Sequence, residues 1–195
     1  MRGAEMPTPE APLDVLGAVH DFLAAHIDIA PAVIVRGWQN RAALPNVSSY
    51  VVLTLINAPR RGTNVHIWEN DNAGDGITES VRMLTLYEVQ IDFCGLDEAA
   101  VNAQAARLVM LARDAVAVDF FRARGLSCQY ADDPRSLPFS NDVDQWEVRY
   151  SVTLRLSAWN AADIARDAFR DVNIRIEDVD VHHPAHASIT AKEMP

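Results

Sequence analysis

The sequence predicts an α+β domain in which a four- to five-stranded, mainly antiparallel sheet carries two helices packed on one face. Three observations lead there. Trp146, Val148, Tyr150, Val152, Leu154, Leu156 and Ala158 alternate without exception with Glu147, Arg149, Ser151, Thr153, Arg155 and Ser157. That is the period of a strand with one buried and one wet face. Tyr50 to Ile56 is apolar in both phases and rich in β-branched residues, the pattern of a central strand covered on both sides. Apolar residues recur at helical spacing at Leu13, Leu16, Leu23 and Ile27, and again at Val101, Ala105, Leu108 and Ala112. The order helix, strands, helix, strands then favours helices on one side of a sheet.

Taken in order, residues 1–12 read as a flexible leader, with Pro7, Pro9 and Pro12 among small and charged neighbours. A single domain over 13–181 and a loose tail over 182–195 complete the expected organisation. The first helix sets Val19, His20 and Phe22 beside its stripe, and Pro31 ends it. Val33 to Val35 form a short strand before the turn-rich Arg36-Gly37-Trp38-Gln39-Asn40.

Pro59 to Ser80 reads as a long mobile excursion. Arg60-Arg61-Gly62 and the Asn70 to Gly76 segment flank a small apolar island of Val65, Ile67 and Trp68. From Val81 to Phe93 the odd positions are mostly apolar, with Glu88, Gln90 and Asp92 between them, which is a half-buried strand. Gly95 breaks it, Asp97 caps the second helix, and Gly125 stops that helix after Arg124. A break near Arg113 to Ala115 fits, because Val116, Val118 and Phe120 start a new phase. Asp132-Asp133-Pro134 initiates a turn. A last strand carries Val172, Ile174 and Ile176, and no internal repeat is visible.

Composition narrows the class. With 195 residues and 49% apolar content the chain has the size and core of one domain. Lys plus Arg number 17 against 27 Asp plus Glu, a net charge of −10 that repels phosphate backbones. No apolar run approaches the ~20 residues of a membrane span, and Met1 to Pro12 lacks the apolar core of a secretory signal. Cys94 and Cys128 make neither a disulfide framework nor a zinc motif. These features lead to a soluble, cytosolic domain with no membrane contact.

Chemistry is sparse. Asp71 to Gly76 is superficially similar to a calcium loop, but Ala73 and Arg82 stand where ligands are required. His182, His183 and His186 could approach a metal, yet Pro184 spoils helical alignment, and a His-containing tail is the plainer reading. Neither cysteine has an adjacent His or Lys in sequence to activate it, so both read as packing residues. No nucleophile motif or glycine-rich phosphate cradle is present. The expectation is no catalytic residue, no cofactor and no metal. Contact residues are better represented. Trp38, Trp68 and Trp159 fall at expected segment ends or in loops, with Arg36, Arg60 and Arg61 near two of them. Trp and Arg are over-used at protein–protein hot spots, although each Trp could instead fold back on the sheet.

Arg36-Gly37-Trp38-Gln39-Asn40, Leu44-Pro45 and Tyr50-Val51-Val52-Leu53 follow one another in a familiar order. Tyr87 to Gly95, Tyr130 to Phe139 and Gln145 to Tyr150 continue it. This ordered set resembles the bacteriophage neck and tail terminator proteins. The likeness spans roughly residues 31 to 160. One departure is Phe93-Cys94 before the Gly, where the family has Tyr or Phe-Tyr.

The resemblance implies a tail-terminator-like α+β fold and a virion protein of the neck or tail, assembled in the host cytoplasm. It implies a homo-oligomeric ring, a hexamer, that caps the tail tube and provides the head–tail joining surface. Implied partners are other copies of the chain, the tail tube protein and head–tail connector proteins, with DNA passing through the lumen without specific binding. Candidate interface residues are Arg36, Trp38, Gln39, Arg60, Arg61 and Trp68. The Arg60 to Ser80 excursion is expected to be a docking arm. The alternatives are another connector or tail-completion protein, or a small-molecule-binding or catalytic domain using a pocket between helices and sheet.

Overall fold

A computed structural model describes residues 13–37, 48–70, 76–140 and 146–167. The expected leader, Trp38, Gln39, the Leu44-Pro45 pair, the strand at Val172 to Ile176 and the histidine tail lie outside these residues. The chain begins with α1 (Val15–His26), a 3-10 turn (Pro31–Val33) and β1 (Ile34–Arg36). Then come β2 (Ser49–Asn57), β3 (Arg60–Asn70) and β4 (Gly76–Gly95). Two helices follow, α2 (Glu98–Ala112) and α3 (Ala115–Arg122). The remaining elements are β5 (Ser127–Ala131), β6 (Arg135–Ser136), β7 (Phe139–Ser140) and β8 (Trp146–Asp167).

The spine is the antiparallel pair β4 and β8, in unbroken register from Gly76 opposite Asp167 to Gly95 opposite Val148. At ~3.3 Å per residue this ladder runs about 65 Å. Shorter strands share its edges. On the β4 side, β2 takes Glu88 to Gly95 and β3 takes Ile77 to Thr85. On the β8 side, β7, β6 and β5 pair in turn up to Ser157. The main path is β1-β2-β4-β8-β5.

These facts correct the expected sheet. Among the described residues, seven strands form one mixed sheet, the two-residue β7 adds a separate short ladder on β8, and there are three helices. The α+β class stands, but neither the four to five strands nor the two helices do. The sheet is mixed because β1 runs parallel to β2, Ile34 opposite Val51. The two-residue strands are too short for alternation to reveal. The expected second helix divides because Asp114 caps a new one, its carboxylate accepting from the Val116 N–H at 3.0 Å.

Among the described residues, the helices cover one face. Val51 and Leu53 of β2, Val89, Ile91 and Phe93 of β4, and Val152, Leu154 and Leu156 of β8 form the buried layer beneath them. Phe22 and Phe121 close the far side, with ring centroids 4.9 Å apart. β2 is therefore not covered on both sides: Leu55 and Ile56 are exposed near its end. The other face, which we term the open face, is mostly polar opposite the core, where Glu88, Gln90 and Asp92 of β4 lie with Ser151, Thr153 and Arg155 of β8. Gln90 donates there to both carboxylate oxygens of Asp92, at 3.1 and 2.9 Å. Tyr50 is also buried on this side, where its hydroxyl donates to Glu147.

Local signals act as expected at several ends. Asp97 accepts from the Ala99 and Ala100 N–H groups, and Gly125 stands beyond α3 at φ +74, a left-handed conformation suited to glycine. Asp14 caps α1, accepting from the Gly17 N–H at 2.9 Å and from Arg36 at 2.6 Å. The Gly17 hydrogen bond, then Arg36, hold its carboxyl below the ordinary 3.8. Because the folded-state value is the lower one, this contribution is full above the ordinary carboxylate value and is lost as pH falls through the depressed one. Asp14→Ala should cost about 1 kcal/mol, the usual worth of an N-cap. Urea titrations at neutral pH and in acid check this: the gap between the two proteins should close in acid.

Candidate assembly interface

The stretch expected to be a mobile excursion is mostly strand. β3 and the first half of β4 form a ladder running from Arg60 opposite Thr85 to Asn70 opposite Ile77. The outer half of β8, residues 158–167, lies on the other side of β4. Together they make a three-stranded arm beyond the helix-covered core. The sequence conceals β3 because its apolar island is short and its flanks are rich in turn formers. Pairing to β4 supplies what local preference lacks. A bulge interrupts the ladder near its base, where residues 62–64 all lie opposite Met83. Gly62 takes φ +79 there, a conformation costly for any residue with a Cβ.

At the root of the arm, on the helix side of the sheet, Asn160 donates to the Thr85 hydroxyl at 2.7 Å and meets the Tyr87 hydroxyl at 3.0 Å. This polar cluster replaces the apolar layer where the helices end. Farther out on the same face, His66 Nδ1 lies 2.6 Å from a nearly buried Glu79 carboxylate.

Strand alternation separates residues that adjoin in sequence. Arg60 shares the helix-side face with Thr85, whereas Arg61 lies with Leu84 on the open face. Both are exposed, and neither forms an ion pair among the described residues. Trp68 is 58% exposed on β3, on the helix-side face. Trp68 and Trp159 are thus strand residues, contrary to the expected loop or segment-end placement, because β3 exists and β8 continues well past Ala158. Arg36 has a partner inside the chain, Asp14. The structure therefore groups Arg60, Arg61 and Trp68 on one arm and leaves Arg36 near α1.

Sequence reading missed the network around Arg155. Its Nε donates to Glu88 at 3.1 Å and one terminal nitrogen to Asp132 at 3.3 Å. The same guanidinium donates to the Tyr130 hydroxyl and sits 5.0 Å from that ring's centroid. Burial works against the charge, but Tyr130, Asp132 and Glu88 together hold the Arg155 pKa above its ordinary value. Only the pairing of distant strands brings these residues together, so no sequence spacing announces them. An open-face groove of about 430 Å³ runs from this network past Leu84 and Leu86 to Arg61. It does not lie between helices and sheet, where the alternative reading expected a pocket.

The cysteines are packing residues in this geometry. Desolvation pushes Cys94 up to about 12 and Cys128 up to about 11, from an ordinary 9.0. Their thiolate fractions at pH 8 should be roughly a thousandfold and a hundredfold below a free thiol's. Thiol titration of the native protein should show almost no reaction until denaturant is added. Among the described residues no three His, Cys, Asp or Glu side chains are grouped to hold a metal, and no helix is long and apolar enough to cross a membrane.

Comparison with known families adds one finding. A family model described as "Phage neck terminator protein" matches residues 14–184. The match reaches farther on both sides than the stretch that carries the resemblance in sequence. No curated protein matches.

Proposed function

The chain belongs to the phage neck terminator family, and from that premise we propose that it acts as a virion structural protein that caps the tail tube as a homo-oligomeric ring. Its partners in this reading are further copies of itself, the tail tube protein and head–tail connector proteins. Six copies make the ring, which provides the head–tail joining surface. The protein contributes binding surfaces and performs no catalysis. A net charge of −10 suits a lumen through which DNA slides without sticking.

The observation that carries this reading is the arm. It holds Trp68, Val65, Trp159 and Ile164 exposed beyond the core. Exposed large apolar side chains on a rigid sheet are characteristic of interaction surfaces. Arg60, Arg61 and Trp68 are its proposed contact residues. Arg36 is proposed for a second surface near β1, and Trp38 and Gln39 are proposed contact residues without a placement.

Light scattering and negative-stain imaging, with and without tail tube protein, test the proposal. The expected result is a closed ring, alone or on tube ends. A monomer that also fails to join the tube would overturn it. Deleting residues 70–76 should leave the domain folded, since the buried core lies elsewhere, but should weaken ring formation or tube attachment. Unchanged assembly by that variant would remove the docking role from residues 70–76.

A further inference from the structure

Natural sheets usually blunt their free edges with charge, proline or cover. The arm's edges carry some of these devices, with Arg60, Arg61, Glu69 and a bulge on β3 and Asp163 on β8, but they also expose large apolar side chains. Among the described residues, β3 pairs only with β4, and residues 158–167 of β8 also pair only with β4. Among the described residues the arm therefore has two open edges of similar length. All four of its exposed large apolar side chains sit on these edge strands: Val65 and Trp68 on β3, Trp159 and Ile164 on β8. None sits on β4.

The edges also match in level. Arg61 and Trp159 are both paired with Leu84, and both point to the open face. Trp68 and Ile164 are both paired with Glu79, on the helix-side face. Set side by side, the two edges would thus bring a guanidinium to an indole on one face and an indole to an isoleucine on the other. Both are favourable cross-strand pairs. Within one chain they cannot meet, because β4 separates them by two strand spacings, about 10 Å.

From this we infer that the arms of neighbouring copies pair edge to edge, β3 of one copy alongside residues 158–167 of the next, within two residues of level register. The inference rests on the ring reading above and names the contact that closes it. β3 and β8 both run antiparallel to β4, so they are parallel to each other, and copies related by rotation pair them in parallel. The contact is head to tail: each copy uses a different edge towards each neighbour. Where the rotation between copies closes, such contacts make a ring and leave neither edge of the arm free. Pairing of β3 with β3 would instead stop at a dimer and leave the β8 edges open.

Engineered disulfides in the full chain decide between these arrangements. Val65→Cys is combined in turn with Trp159→Cys, Ala161→Cys and Asp163→Cys, all on the open face. A disulfide reaches no more than ~7 Å between Cα atoms, so none of these pairs can close within one chain. The native thiols are buried or half-buried and supply little background. Under mild oxidation, one double variant should give a ladder of covalent oligomers that reductant collapses. An equal mixture of the two matching single variants should stop at dimers, and each single variant alone should give none. Light scattering on the same samples reports assembly independently. Assembly without a ladder from any of the three variants overturns the edge pairing and leaves the ring standing. Cross-linking of Val65→Cys alone overturns it in favour of β3 pairing with β3. A protein that stays monomeric, forms no ladder and does not join the tube when tail tube protein is added overturns the pairing and the ring together.

Discussion

Phe121→Ala should destabilise the folded domain by about 3–5 kcal/mol, the usual cost of truncating a buried phenylalanine. Phe121 is fully buried in α3, with ring centroids 4.9 Å from Phe22 and 5.4 Å from Phe120. Phe22 belongs to α1, so the loss removes packing between α1 and α3 as well as apolar burial. α3 has eight residues, too few to hold helical form without tertiary support. The neighbouring Phe120 cannot fill the space, because it already lies edge-on to Phe22 and carries Arg124 at 3.7 Å from its ring centroid. Urea unfolding followed by circular dichroism measures the effect. A loss under 1 kcal/mol would mean that the helix layer repacks, against the density of this core.

Trp68→Ala should have the opposite profile. The side chain is exposed and outside the buried core, so monomer stability should stay within about 0.5 kcal/mol of the parent. Assembly should suffer heavily. An interface tryptophan that becomes buried commonly contributes at least ~2 kcal/mol, which is about 30-fold in a dissociation constant. In a ring every copy loses this at a contact, so closure weakens further. Thermal melts paired with sedimentation velocity separate the two quantities. Wild-type assembly by a stable Trp68→Ala protein would take the indole out of the interface. A large loss of monomer stability would show instead that it packs within its own chain.

The two variants differ because the molecule has a dry core and an apolar arm outside it, and these were unequally legible in the sequence. The alternation from Trp146 to Ala158 is local, so the face that meets the helices could be read directly: Val152, Leu154, Leu156 and Ala158 are buried there. The stripe of α2, its Asp97 cap and the Gly125 stop are equally local, because a cap needs only neighbours within a few residues. Residue type alone points to Trp68, Arg60 and Arg61 as contact residues, but it carries no sign that a strand sends the two arginines to opposite faces.

Non-local pairing decided the rest. Residues 60–70 carry a weak strand signal between turn formers, and only the ladder to β4 makes them a strand. The extension of β8 past Ala158 needs β4 beside it in the same way. Arg155 gains its partners from Glu88, Tyr130 and Asp132, which are 67, 25 and 23 residues away. The sequence by itself thus determined the pieces whose hydrogen bonds and periodicity lie within one segment: the helices, their caps and the alternating face of β8. The tertiary structure alone decided the arm, its two open edges and the Arg155 network, because a strand's backbone groups are satisfied by another strand and its position depends on which one.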